Sequence, residues 1–127
     1  LARPAAAPPR SAREWLAKLV NGTPKAGRVT IKAPEIAENG NTVPLTIQVD
    51  SPMTASDYVR AVHVVTDGNP MPGVASLHFT PLSGKAEAQI RVRLAATEHV
   101  IAVAEMSDGS LWTATREVKV TIGGCGG

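Results

Sequence analysis

The sequence is poor in the residues that build disulfides, metal cages and nucleic-acid platforms. It has one cysteine, and its aromatic residues are two Trp, one Tyr and one Phe. A lone cysteine forms no internal disulfide and matches none of the paired spacings of zinc, iron-sulfur or redox dithiol sites. So few aromatics, with no basic cluster alternating with them, argue against nucleic-acid binding. No apolar run approaches the roughly 20 residues of a membrane-spanning helix, so membrane insertion is not expected.

Length and charge indicate one ordinary globular domain. The chain has 127 residues and a formal net charge of +2, which selects no class of partner. A domain of this size buries a core without disulfides. The chain starts at Leu1 without a methionine or signal peptide, so we expect it to be processed or trimmed. The cysteine count does not assign a compartment.

Residues 1–27 are predicted to form an extension with one short amphipathic helix. Residues 1–10 are too rich in Pro and Ala for regular structure. Ser11 and Glu14 have the spacing of a capping box, and Asn21-Gly22 is typical of a helix end. We expect the helix to pack on its own domain or, alternatively, to place Trp15 against a partner. Its apolar stripe consists of Trp15, Leu16, Leu19 and Val20.

From residue 28 to residue 122 the hydrophobic pattern has the two-residue period of β-strands. The continuous valines between residues 59 and 66 predict a central strand buried on both faces, and Asp108-Gly109 favours a two-residue hairpin turn. Seven strands without a core helix predict an all-β fold, an immunoglobulin-like antiparallel β-sandwich. The strands are predicted at residues 29–33, 43–49, 59–66, 74–80, 86–94, 100–106 and 111–122.

The last five residues are the most unusual part of the chain. Each glycine in regular structure is disfavoured by roughly 0.5 to 1 kcal/mol relative to alanine, so a glycine-rich end favours a mobile segment. We predict that residues 123–127 form a flexible arm that holds a thiol away from the domain. Val118, Val120 and Ile122 alternate up to the arm, which should therefore leave an anchored strand. The arm is Gly123-Gly124-Cys125-Gly126-Gly127.

Other interpretations of the polar residues stay open. Cys125 has two residues after it, too few for a prenylation box, but an incidental thiol or an intermolecular disulfide fits. His63 and His78 face each other if their strands pair, and with His99 they make a metal site conceivable, although strand histidines are more often core or surface residues. Ser, His and Asp are present for a catalytic triad, but no nucleophile elbow accompanies them.

Several motifs resemble the SoxY family, the sulfur carrier subunits of bacterial thiosulfate oxidation. The most specific is the ending Val118-Lys119-Val120-Thr121-Ile122 followed by Gly-Gly-Cys-Gly-Gly, which departs from the family motif at no position. The resemblance covers about residues 28 to 127. Its other pieces are Ala33-Pro34-Glu35-Ile36-Ala37-Glu38-Asn39-Gly40, Val43-Pro44, Ser51-Pro52-Met53, Asn69-Pro70, Val103-Ala104-Glu105 and Ser107-Asp108-Gly109.

This resemblance implies a carrier and not an enzyme. By position, Cys125 is the covalent attachment point for sulfur intermediates, with no metal or other cofactor. The family is periplasmic, exported with a twin-arginine signal, and forms a heterodimer with a SoxZ subunit. A haem enzyme couples thiosulfate to the thiol, a hydrolase releases sulfate, and a sulfur dehydrogenase oxidises the remaining sulfane sulfur. The glycines of the arm are Gly123, Gly124, Gly126 and Gly127.

Two rival functions fit parts of the sequence. A structural or interaction β-sandwich module would have the same fold and an incidental cysteine. A ubiquitin-like sulfur donor also ends in Gly-Gly, but it activates its terminal carboxylate and needs a long helix across its sheet. For the carrier, no cation or helix N-terminus within the tail favours the Cys125 thiolate, so activation should come from the pocket of a docked enzyme.

Overall fold

The structure, a computed structural model, describes residues 10–123 and confirms an all-β sandwich with one short N-terminal helix. The helix α1 spans Arg10–Leu19. All seven predicted strands are present, and two two-residue strands, β1 and β3, accompany them. The strands are β1 (Lys25–Ala26), β2 (Val29–Lys32), β3 (Ile36–Ala37), β4 (Val43–Val49), β5 (Val59–Thr66), β6 (Gly73–His78), β7 (Ala86–Val92), β8 (Glu98–Met106) and β9 (Leu111–Val120).

The strands form two sheets. The larger has the order β1-β9-β8-β5-β6, with β3 also paired to β9, and the smaller has the order β2-β4-β7. The longer strands pair antiparallel with one another. The two short strands run parallel to β9, β1 beside its start and β3 beside its end. Both ends of β9 are therefore covered, and β6 is the other edge of the larger sheet. None of the described helices is long and apolar enough to cross a membrane.

The core lies between the sheets because their facing positions alternate with the strand period. In β4 the four apolar residues Val43, Leu45, Ile47 and Val49 are buried. They belong to one cluster with Val62 and Val64 of β5 and with Val100 and Ala102 of β8. Burying a side chain of this size contributes about 1.5 to 3 kcal/mol. Every residue of β5 except Arg60 is buried, which confirms the predicted central strand.

The helix explains why β5 is buried on its second face as well. Ala12 and Leu16 pack on the outside of the larger sheet against Val65, Ile101 and Val103. Trp15 lies over Gly73 at the start of β6. A Cβ atom added at Gly73 would overlap atoms of the indole ring. Within the described residues, Trp15 therefore contacts its own domain, as the first of the two hypotheses expects.

Two details of the helix differ from the prediction. The helix begins at Arg10, so Ser11 lies in its first turn and not at the N-cap. Leu19 is 38% exposed, and Ala12 takes its place in the buried stripe. Positions 12, 16 and 20 follow one face at four-residue spacing, which leaves Leu19 at the margin of the contact.

The hairpin between β8 and β9 corrects the predicted two-residue turn. Glu105 pairs with Leu111, and the Met106 amide donates to the Ser110 carbonyl at 2.9 Å. Residues 107–109 therefore form a three-residue loop, in which Gly109 has a φ of 86°. A positive φ at the third position is typical of such loops and suits glycine. The Asp108 carboxylate accepts from the Ser110 amide at 2.8 Å, which stabilises the longer loop.

Candidate functional site

The predicted site lies at the edge of what the structure describes. Gly123 is the last described residue, and Gly124, Cys125, Gly126 and Gly127 lie outside the described residues. The geometry that bears on the site is therefore that of the chain leading into the tail.

The strand that leads to the tail stays bonded beyond its last paired residue. The Thr121 amide donates to the Ala37 carbonyl at 3.1 Å, and the Thr121 hydroxyl donates to the Glu38 carbonyl at 2.9 Å. One residue further, the Gly40 amide donates to the Ile122 carbonyl at 2.7 Å. The chain is thus fixed on the side of β3 as far as Ile122.

A threonine fixes the same segment from its other side. The Val120 amide donates to the Thr97 hydroxyl at 2.9 Å, and that hydroxyl lies 3.4 Å from the Val120 carbonyl, to which it donates. Thr97 comes directly before β8, so its side chain continues the β8–β9 ladder by one position. A hydrogen bond of this kind contributes about 0.5 to 1.5 kcal/mol to stability.

Gly123 packs against the backbone of the loop before β8. A Cβ at Gly123 would overlap the Ala95 carbonyl oxygen, far inside any distance that real Cβ atoms adopt. The loop is itself held in place, because the Asn69 side chain accepts from the Ala95 amide at 2.9 Å and donates to the Arg93 carbonyl at 2.8 Å. Residue 123 is therefore a glycine for a steric reason in addition to the predicted freedom of the arm. We call Ala37, Gly40, Asn69, Ala95 and Thr97 the tail anchor.

The sequence pattern indicates a role for Gly123 but for none of the anchor side chains. Asn69-Pro70 is a turn motif and Thr97 is an exposed polar residue before a strand, so neither carries a signal of its role. The only indication was the apolar alternation up to Ile122, which placed the tail at the end of a strand. The anchor contacts join segments 23 to 83 residues apart, as for Thr97 with Val120 and for Thr121 with Glu38.

Beside the anchor, a histidine is held between carboxylates. His99 Nδ1 lies 2.8 Å from one Asp67 oxygen, and the His99 amide donates to the other at 2.7 Å. On its other side, His99 Nε2 lies 3.8 Å from the Glu117 carboxylate. This arrangement ties the loop after β5 to β8, close to Thr97 in the chain.

The second histidine cluster lies on the outer face of the larger sheet. His63 and His78 come together as predicted from strand pairing, with ring centroids 6.5 Å apart. His63 Nδ1 lies 2.8 Å from the Ser76 hydroxyl, while Nε2 is 3.7 Å from the Glu105 carboxylate. The second distance is too long for the hydrogen bond that would orient a catalytic imidazole. Among residues 10–123, no three His, Cys, Asp or Glu side chains are grouped to hold a metal ion.

Comparisons with known proteins identify the family of the chain. The family described as "Sulfur oxidation protein SoxY" matches residues 16–125. The solved structure of the sulfur carrier protein SoxY from Chlorobium limicola f thiosulfatophilum is 36% identical, with a TM-score of 0.73 over 88% of this chain and 97% of that chain. No curated protein matches the chain.

More distant structures share the fold alone. A superoxide reductase (neelaredoxin) from Ignicoccus hospitalis is 20% identical, with a TM-score of 0.66 over 74% of this chain and 80% of that chain. The superoxide reductase from Nanoarchaeum equitans is 17% identical, with a TM-score of 0.60 over 77% of this chain and 96% of that chain.

The fold and the anchor define a class: a small β-sandwich protein whose C-terminal residues leave a firmly bonded strand at one end of the domain. Within that class, the family match and the Chlorobium structure place the chain without ambiguity. It belongs to the SoxY family.

Proposed function

We propose that this protein is a periplasmic sulfur carrier that holds thiosulfate-derived intermediates covalently on Cys125 and presents them to partner enzymes. The observation that supports it most directly is the bonded exit of the tail, with Ile122 and Gly123 held by the anchor two residues before the cysteine. A fixed base with a short glycine-rich tip limits the volume that the thiol searches and raises its effective concentration at a docked active site. The protein supplies the attachment atom and its partners supply catalysis.

The partner enzymes accept the electrons and add the water that loading and release require. Thiosulfate joins the thiol when a haem enzyme removes an electron pair, forming a sulfur-sulfur bond and releasing the thiol proton. A hydrolase then adds water across the terminal sulfur-sulfonate bond, which releases sulfate and a proton and leaves a persulfide on Cys125. A sulfur dehydrogenase accepts electrons from the outer sulfur of that persulfide while water supplies the oxygen atoms and protons are released, which gives an S-sulfonate. Hydrolysis of the S-sulfonate releases sulfate and restores the thiol. In each step Cys125 keeps its own carbon-sulfur bond.

Intact-mass analysis after incubation with thiosulfate and the haem enzyme tests this proposal. The expected result is an adduct that peptide mapping places on Cys125 and that Cys125→Ser abolishes. An adduct on the carboxylate of Gly127 would instead indicate a ubiquitin-like donor. If no adduct forms and Cys125→Ser supports thiosulfate oxidation normally, the protein is a structural module.

We also propose that the protein works as a heterodimer with a SoxZ-like sandwich subunit, joined at β6. On the side away from β5, β6 pairs with none of the described strands, and unpaired edges invite pairing. Its sequence, GVASLH, has no Lys, Arg, Asp or Glu, whereas β7 contains Glu87 and Arg91 and β2 contains Lys32. Charges on an edge strand oppose pairing, so β6 is the favoured edge.

Co-purification of variants with the partner subunit tests this assignment. His78→Lys puts a charge on an exposed position of β6 and should abolish co-elution, while the matched change Thr30→Lys, at an exposed position of the β2 edge, should leave it intact. Co-elution of both variants would exclude β6 as the interface.

A further inference from the structure

We propose that the enzymes acting on Cys125 all dock on one small surface, the end of the sandwich around the tail anchor, through Met71 and Ile122, and therefore exclude one another. We call this surface the docking end. The proposal rests on the proposed function as a sulfur carrier and adds where its enzymes bind and that they bind one at a time.

Several loops meet at the docking end. The tail leaves there beside the turn that contains Gly40 and the loop that contains Ala95. Asn69 joins the loop after β5 to the same place through its bonds to residues 93 and 95. Met71 follows Asn69 by two residues, so its side chain belongs to the same end of the domain as Ile122.

The length of the tail forces the enzymes onto this end. Cys125 is the second residue after Gly123, so its sulfur stays within roughly 10 Å of the anchored Gly123 even when the chain is extended. A stable protein interface covers about 800 Å² on each partner, a disc of about 16 Å radius. Any enzyme that encloses the sulfur must therefore contact the docking end, and the footprints of two such enzymes must overlap.

The docking end offers apolar contacts that suit several partners. Ile122 is 68% exposed and Met71 is 56% exposed, two of the five exposed large apolar side chains among the described residues. Methionine is flexible and polarisable and is favoured where one surface meets different partners. Glu38 and Arg93 are also exposed there and carry opposite charges. Binding should therefore depend mainly on apolar contacts and not on an electrostatic field of one sign.

The opposite end supplies a matched control. Leu82 is 96% exposed on the 3₁₀ turn Pro81–Ser83, between β6 and β7. The preceding residues of β6 pair with the start of β5, and Ala86 pairs with Val49, so this turn is at the end of the sandwich away from Gly40. A charge at Leu82 is thus at least as exposed as one at Met71 but lies beyond the reach of the tail.

The experiment measures enzyme-dependent and enzyme-free modification of Cys125 in the same variants. Met71→Asp should raise the KM of the haem enzyme and of the hydrolase for the carrier by roughly tenfold, a loss typical of one interface anchor. Leu82→Asp should leave both KM values unchanged. The rate of Cys125 alkylation by iodoacetamide should be the same in all three proteins, which separates docking from damage to the tail.

Competition provides the second readout. A catalytically inactive hydrolase should inhibit loading by the haem enzyme competitively with respect to the carrier. Unchanged KM values for Met71→Asp, or non-competitive inhibition, would overturn the shared docking end while wild-type protein still loads thiosulfate. Failure of wild-type protein to load at all would instead overturn the proposed function.

Discussion

The carbonyl oxygen of Ala95 occupies the space that a side chain at residue 123 would need. Gly123→Ala must therefore shift either the tail or the loop before β8, which is itself bonded to Asn69. Forcing a methyl group into a packed site costs about 1 to 3 kcal/mol. We expect the free energy of unfolding, measured by urea denaturation, to fall by that amount.

Gly126→Ala is the control for that substitution, because it adds the same methyl group on the far side of Cys125. It should leave the free energy of unfolding within about 0.5 kcal/mol of the wild-type value. An equal loss in the free energy of unfolding for both variants would mean that the contact with Ala95 does not contribute to stability.

Thr97→Val tests the second contact of the anchor. The substitution keeps the shape of the side chain but removes the hydroxyl that bonds both backbone groups of Val120. The expected cost is about 0.5 to 1.5 kcal/mol, with faster hydrogen exchange at the Val120 amide. Thr30→Val, at an exposed position of β2, is the matched control and should change neither quantity.

The sandwich was predictable because the sequence pattern that places each strand lies within that strand. In β4 each residue alternates between core and surface, so a period of two in the sequence is enough to place the strand. The central position of β5 followed from its continuous valines for the same reason. The length of the hairpin was not predictable from Asp108-Gly109, since the choice depends on bonds that Ser110 makes with Met106 and Asp108.

The candidate site was predictable only in part, for the same reason. The glycine-rich ending identified the tail from sequence alone, but the tail anchor depends on contacts between loops that no local pattern encodes. Thr97 and Val120 are 23 residues apart, and their bond exists only once β8 and β9 have paired. The same holds for Leu19, whose exposure depends on how α1 is rotated over the sheet.

His63 should make stability depend on pH. Burial lowers its pKa below the usual value of 6.5; the nearby charge of Glu105 opposes this, and His78 adds to the lowering. The unfolded chain therefore takes up the proton first, and the stability present above about pH 6.5 is lost as the pH falls below it. His63→Gln removes this titration while keeping a side chain that can bond to Ser76.

The measurement is the free energy of unfolding of both proteins between about pH 7.5 and pH 5. Wild-type stability should fall with a steeper slope than that of His63→Gln, by at most about 1.4 kcal/mol per pH unit for one proton. Parallel curves would show that His63 titrates alike in the folded and unfolded states.

The contact between Trp15 and Gly73 predicts a strong coupling between α1 and the sheet. Gly73→Ala places a methyl group inside the contact distance of the indole ring, so the helix must move. We expect a loss of about 1 to 3 kcal/mol in the free energy of unfolding. Trp15→Ala removes the ring and should itself cost up to about 3 kcal/mol, because the side chain is only partly buried.

The double variant distinguishes this contact from a general intolerance of Gly73 to substitution. With the ring absent, the three atoms nearest to the added methyl group are gone, so Gly73→Ala in the Trp15→Ala background should cost much less than in the wild-type protein. The two changes would then be coupled by roughly 1 kcal/mol or more in a double-mutant cycle. If the two losses simply added, Gly73→Ala would destabilise the strand independently of Trp15. The helix would then be held on the sheet by Ala12 and Leu16 alone.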